Sequence, residues 1–143
     1  MSLALQQAYF AIGVSRPNPP VGAVVVSKGI VVGRGFTQAP GLAHAEVMAI
    51  KDAGSKAYDA DLWVTLEPCC HYGRTPPCTQ AICEAGIRRV FYSHPDPNPA
   101  VRSKSKEILE AAGIEVFDGI LSEETNRFYE AYDYFVRNQR PFV

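Results

Sequence analysis

Three short stretches hold the residues best able to do chemistry: His44-Ala45-Glu46, Glu67-Pro68-Cys69-Cys70 and Thr75-Pro76-Pro77-Cys78. Thiolate and imidazole are ligands zinc accepts readily, and a working zinc site keeps three protein ligands and one open position. His44, Cys69 and Cys78 supply such a set, with two anionic sulfurs to offset the charge of the ion. Both cysteines are expected at or near helix starts, where peptide dipoles favour a thiolate. Glu46 stands two residues from His44, close enough to sit beside the metal without binding it. A zinc-bound water has a pKa of about 7. Adding that water to an aromatic ring carbon and expelling an amine requires protons for a ring nitrogen and for the amine. One adjacent carboxylate can carry both. The chemistry these residues allow is hydrolytic replacement of an amine by oxygen.

Other uses of the same residues are weaker. Cys69, His71, Cys78 and Cys83 could form a closed structural zinc site, but that leaves His44 and Glu46 without a role. Cys70 adjoins Cys69, and neighbouring residues seldom both point at one ion. Cys83 lies among Ile82, Ala85 and Ile87 and reads as a small buried hydrophobe. His94 reads as a loop residue rather than a ligand.

The elements that must position these groups follow from pattern. Leu5, Ala8, Tyr9 and Ile12 have helical spacing. Residues 21–27 and 30–36 are β-rich runs around Lys28-Gly29, a hairpin signal. Residues 45–53 predict a helix ending at Gly54, and 62–66 a short strand. Thr75 suits an N-cap and Pro76 a first helical position, so the next helix is expected from there to Ala85. Gly86 and Gly113 sit where helices end in left-handed caps. Strands at 89–93 and 115–117 follow them. Between these strands, Val101, Ser105, Ile108, Leu109 and Ala112 mark one helical face. Phe128, Tyr132 and Phe135 mark a last helix, its stripe read as core packing. Helix alternating with strand in the second half implies parallel strands with helices on the sheet faces, and the hairpin makes the sheet mixed.

Composition sets outer bounds. The chain has 143 residues, 47% of them hydrophobic, and a net charge of −1. One domain with a real core is expected, with no general attraction to nucleic acid. Apolar runs near Val24 and Val31 fall far short of the roughly 20 residues that span a bilayer. No signal-peptide pattern opens the chain, so a cytoplasmic site and reduced cysteines are expected. A homo-oligomer is compatible with this composition.

Taken in order, Asn18-Pro19-Pro20-Val21-Gly22-Ala23-Val24, His44-Ala45-Glu46-Val47, the run from Thr65 to Cys78 and Asp96-Pro97-Asn98-Pro99 resemble one known family. It is the deaminase domain of the bifunctional riboflavin-biosynthesis deaminase–reductase. The resemblance covers essentially the whole chain. Its specific part is the eight-residue gap between Cys69 and Cys78 with Gly73-Arg74-Thr75-Pro76-Pro77. Cytidine, deoxycytidylate and tRNA adenosine deaminases usually have a much shorter gap. The resemblance implies a three-layer α/β/α, cytidine deaminase-like fold with a mixed five-stranded sheet. It implies a zinc-dependent enzyme acting on 2,5-diamino-6-(5-phosphoribosylamino)pyrimidin-4(3H)-one, with Glu46 catalytic. It further implies that Asn18, His71, Asp96 and Asn98 bind this small molecule and that Arg74 meets its phosphate. Thr37 stands where many members of the family have His, so one phosphate contact is expected to be weaker or to come from a hydroxyl. Arg140-Pro141-Phe142-Val143 resembles the start of the family's reductase domain, so residues 1–143 are expected to be the deaminase domain alone. A deaminase for another nucleobase, nucleoside or nucleotide, and a non-catalytic zinc module, are the competing readings.

Overall fold

Val-rich runs on either side of Lys28-Gly29 fold back on each other in the computed structural model, which describes residues 1–99 and 102–140. Both turn residues have positive φ, 51° and 78°, as the tight hairpin turn requires. The hairpin strands are β1 (Gly22–Ser27) and β2 (Ile30–Phe36). They are preceded by α1 (Ser2–Ala11) and followed by α2 (Ala45–Ala53), a 3₁₀ turn (Gly54–Ala57) and β3 (Asp61–Leu66). Then come α3 (Cys78–Glu84), β4 (Arg89–His94), α4 (Lys104–Ala111), β5 (Glu115–Phe117) and α5 (Ser122–Asn138). The sheet order is β2-β1-β3-β4-β5, with β1 antiparallel to both neighbours and β3, β4 and β5 parallel. This is the mixed five-stranded α/β sheet expected from the sequence. No helix among the described residues is long and apolar enough to cross a membrane.

Small residues fix where the helices lie. Ala23 and Val25 of β1 pair with Gly35 and Gly33 of β2 and with Val64 and Leu62 of β3, so these share one face. That face carries α2 through Ala45, Ala49 and Ala53, with α3 and α4 beside it. A methyl group at Gly35 would lie 2.5 Å from the Ala45 carbonyl oxygen, so only glycine lets α2 press this close to β2. The opposite face carries α1, whose Ala4 carbonyl abuts Gly22, and α5, whose Tyr129 reaches Thr65. Three layers result, with the core between them built on Leu62, Val64, Val90, Tyr92, Ile82, Leu109 and Tyr129.

Several local expectations differ from what is observed. The helix after the cysteine loop starts at Cys78 with Pro77 as its cap, not at Thr75 and Pro76. Thr75 and Pro76 each precede a proline, and that position is driven out of helical geometry. The buried stripe of α1 is Ala4, Ala8 and Ala11, while Tyr9 and Ile12 face outward. Contact with Gly22 leaves room only for alanine. His94 is the last residue of β4 rather than part of a loop, and it is buried. On α5 the buried positions are Thr125 and Tyr129. Phe128 and Tyr132 flank them half-buried, and Phe135 is exposed. On α4, Ser105 and Leu109 are buried but Ile108 is exposed. Val101, Pro141, Phe142 and Val143 lie outside the described residues.

Candidate active site

Three elements deliver the chemistry to one end of the sheet. His44 caps α2 in extended geometry, so its ring lies ahead of the helix while Glu46 sits in the first turn. Cys69 follows β3 after the stiff Glu67-Pro68 step, and Cys78 opens α3. The Cys78 backbone N–H donates to the Cys69 sulfur at 3.2 Å. His44 Nδ1 lies 3.3 Å from Cys78 Sγ and 3.6 Å from Cys69 Sγ. One ligand atom from each of the three residues falls within 4.8 Å of the others, and among the described residues this is the His/Cys/Asp/Glu cluster able to hold a metal ion.

Electrostatics favour a cation here. The Cys78 thiol, His44 and the Cys78 N–H together hold the Cys69 thiol down at about 4, against the opposing effect of burial. The same pairing, with burial and the nearby Glu46, pushes the Cys78 thiol up. The two sulfurs thus share one negative charge, and a divalent cation between them would let both ionise. Two thiols and an imidazole at this spacing fit zinc, while soft sulfur donors disfavour magnesium or calcium. Glu46 is 3% exposed and adjoins the cluster, with the Cys78 thiol 3.5 Å from its Oε2. Burial, reinforced by the Cys69 charge and opposed by His44, raises its carboxyl to about 7. A carboxyl at that value can both accept and return a proton near neutral pH.

A cavity of about 430 Å³ opens onto this cluster. Asn18, Thr37, His71, Arg74, Asp96 and Asn98 all line it, together with His44, Glu46 and Cys69. Every residue read from the sequence as metal-binding, catalytic or substrate-binding therefore meets at this end of the sheet. His71, Gly73 and Arg74 are exposed on the long loop between the cysteines, and the Arg74 chain passes alongside Gly41. Asp96 is half-buried and accepts a hydrogen bond from the Asn98 N–H at 2.9 Å. Burial raises its carboxyl, against the effects of that N–H and of His71. Thr37 is buried, and its hydroxyl both accepts from the Val21 N–H at 3.1 Å and donates toward the Val21 carbonyl at 3.4 Å. Its proton is therefore occupied by the backbone rather than aimed into the cavity. Cys70 stands outside the ligand cluster, and Cys83 is half-buried against the core.

Among the lining residues to which the sequence assigns no site role, two carry ionisable side chains. Tyr132, taken for core, faces the cavity from α5, and Glu67 lies beneath it. Glu67 is buried, and both carboxylate oxygens accept the Ser103 N–H, at 2.9 and 3.0 Å. Its place directly before Pro68-Cys69 was the only available signal.

An α/β/α sandwich bringing an imidazole, two thiols and a buried carboxylate to one cavity defines a zinc-binding deaminase domain. Residues 1–94 match the family model described as the cytidine and deoxycytidylate deaminase zinc-binding region, and the chain belongs to that family. The riboflavin biosynthesis protein RibD of Aquifex aeolicus is 49% identical over all 143 residues, which make up 40% of that protein. Acinetobacter baumannii RibD superposes with a TM-score of 0.94 at 40% identity, over 99% of this chain and 40% of that one. A Thermotoga maritima structure described as a diaminohydroxyphosphoribosylaminopyrimidine deaminase/5-amino-6-(5-phosphoribosylamino)uracil reductase gives 0.91 at 44% identity, over 100% and 42%. The chain thus spans about two-fifths of the length of these relatives.

Proposed function

We propose that this chain hydrolyses 2,5-diamino-6-(5-phosphoribosylamino)pyrimidin-4(3H)-one to 5-amino-6-(5-phosphoribosylamino)uracil and ammonia, a step of riboflavin biosynthesis. His44, Cys69 and Cys78 would hold zinc. When bound, the ion would supply an acidified water as the nucleophile. Glu46 would carry two protons in turn, the first from the attacking water to the ring nitrogen and the second from the new hydroxyl on the ring carbon to the departing amine. Its burial keeps those protons from bulk water. Asn18, Asp96 and Asn98 offer donors and acceptors suited to the amide and amine edge of a pyrimidinone, and His71 lies next to Asp96. The Arg74 guanidinium takes the phosphate through paired charge-assisted hydrogen bonds. Thr37 contributes cavity wall, and a contact from its hydroxyl proton would compete with Val21.

The observation that carries this reading is the shared cavity. An exposed guanidinium on the cysteine loop and a buried proton carrier line the same space, which is large enough for a phosphoribosylated ring. The family resemblance over the whole chain supports the same substrate. Residues 1–143 then form the deaminase domain, and the additional length of the relatives corresponds to their reductase. Free thiols at the site suit the reducing cytoplasm.

Deamination of a nucleobase, nucleoside or nucleotide is the competing reading, because the family as a whole includes such enzymes. A substrate panel separates the two. Ammonia release should be fast with the phosphoribosylaminopyrimidine, abolished by a chelator and restored by zinc. Cytidine, deoxycytidylate and tRNA should be poor substrates. Faster turnover of any of these three would replace the proposed substrate. No ammonia from any of the four, the phosphoribosylaminopyrimidine included, would favour a non-catalytic zinc module.

A further inference from the structure

His94 is buried and lies one residue before the segment that carries Asp96 and Asn98. Its ring is held on both sides by α5. Nε2 is 2.8 and 3.0 Å from the two carboxylate oxygens of Asp133, and Nδ1 is 2.9 Å from the Asn126 side-chain oxygen. A carboxylate can only accept, so Nε2 carries a proton; Nδ1 either donates to the Asn126 oxygen or, with that amide turned about, accepts from its nitrogen. The imidazole also stacks on Tyr129, with centroids 5.1 Å apart. Tyr129 in turn donates to the Pro20 carbonyl at 2.7 Å and accepts from the Thr65 hydroxyl at 2.6 Å. Thr65 accepts the Gly22 N–H. Both cavity segments, Asn18–Pro20 and Pro95–Asn98, are therefore tied to one helix.

From this geometry we infer that His94 is a positioning residue for substrate binding: pinned to Asp133 and Asn126, it sets the direction in which the Asp96–Asn98 loop leaves β4. It does not line the cavity onto which the metal cluster opens; it lines a separate one on the far side of the loop, with Asn126 and Asp133. Its effect must be transmitted, and the chain is built for that. Pro95 and Pro97 fix φ on either side of Asp96, which reduces the freedom with which the loop can absorb a rotation at His94. Further along the chain, the Ser103 N–H donates to both carboxylate oxygens of Glu67. Side chains that place a substrate must be held tightly, because a displacement of about 1 Å can cost on the order of a hundredfold.

The inference rests on the reading that Asp96 and Asn98 touch the substrate, and the test separates the two ideas. Zinc-loaded wild type, Asp96→Ala, Asp133→Ala, Asn126→Ala, His94→Leu and His94→Gln are compared by steady-state ammonia release, zinc content and thermal melting. Asn126 is exposed, so its truncation should fold. Asp133→Ala and His94→Leu should raise KM about tenfold while kcat changes less than about threefold and zinc stays bound. Asn126→Ala should do the same to a smaller degree. His94→Gln, which can still donate to Asp133, should recover part of the loss. Adding Asp133→Ala to Asp96→Ala should have little further effect, because the tether acts through that loop. If the tether variants only lower the melting temperature and leave KM unchanged, His94 is core packing and the inference fails. If Asp96→Ala leaves KM unchanged, the substrate contact itself is wrong and the inference falls with it.

Discussion

Replacing Glu46 by Gln should stabilise the metal-free protein at neutral and alkaline pH. Burial, helped by the ionised Cys69, raises the Glu46 carboxyl from its ordinary 4.5 to about 7. The folded chain therefore keeps a proton that the unfolded chain has already released between those values. Stability from this group is complete below pH 4.5, falls as pH rises through the window, and is lost above about 7. At about 1.4 kcal/mol per tenfold, the loss is about 3 kcal/mol. Glutamine stays neutral and escapes it. For a chain of this size that corresponds to about 10 °C in melting temperature. The assay is thermal or urea unfolding of chelator-treated wild type and Glu46→Gln at pH 5, 6, 7 and 8. His44, Cys69 and Cys78 interact with Glu46, so the difference between the two proteins reports Glu46 together with its coupling to them. The variant's advantage should grow with pH and level off near 8. It should shrink when zinc is added, because a cation beside the carboxylate offsets its desolvation. An advantage that stays flat or falls with pH would show that Glu46 is not the desolvated carboxyl described.

Other outcomes are expected from the packing and the cavity. Elemental analysis should find about one zinc per chain in wild type and in Cys70→Ser and Cys83→Ala, and little in Cys78→Ser. Cys83→Ala should lose about 1 kcal/mol of stability through packing. Gly35→Ala should cost about 1–3 kcal/mol in denaturant unfolding, because its methyl would meet the Ala45 carbonyl at 2.5 Å. Gly73→Ala, whose methyl meets nothing within 4 Å, should not destabilise. Arg74→Ala should lose most of the preference for phosphorylated over dephosphorylated substrate. Full retention of that preference would place the phosphate elsewhere.

The ligand cluster was legible because it depends on residue type and spacing. His44, Cys69 and Cys78 have chemistry that few other roles would use together. The β1–β2 hairpin and the Gly86 and Gly113 helix ends were legible because local backbone geometry demands those residues, and both glycines do take positive φ. Elements whose burial is set by distant partners were harder to read. The spacing in α1 selects Ala8 together with the larger Leu5, Tyr9 and Ile12, yet Gly22 of β1 draws the helix so close that Ala8 is buried with Ala4 and Ala11 instead. In α5 the spacing selects Phe128, Tyr132 and Phe135, while Tyr129 takes the central place because it bonds to Pro20 and Thr65, residues far away in sequence. His94 looked like a loop residue for the same reason: its partners Asn126 and Asp133 lie more than thirty positions downstream. Pattern within one segment carries no information about partners in another.

The most direct test of the account compares turnover of the phosphoribosylaminopyrimidine by zinc-loaded wild type and Glu46→Gln at matched zinc content. The two side chains have nearly the same shape, but only the carboxylate can accept and return a proton. Wild type should release ammonia and form the uracil product. The variant should keep its zinc and still bind substrate, with turnover lowered at least about 10²–10⁴-fold. Activity of the variant within a few-fold of wild type would contradict the role given to Glu46.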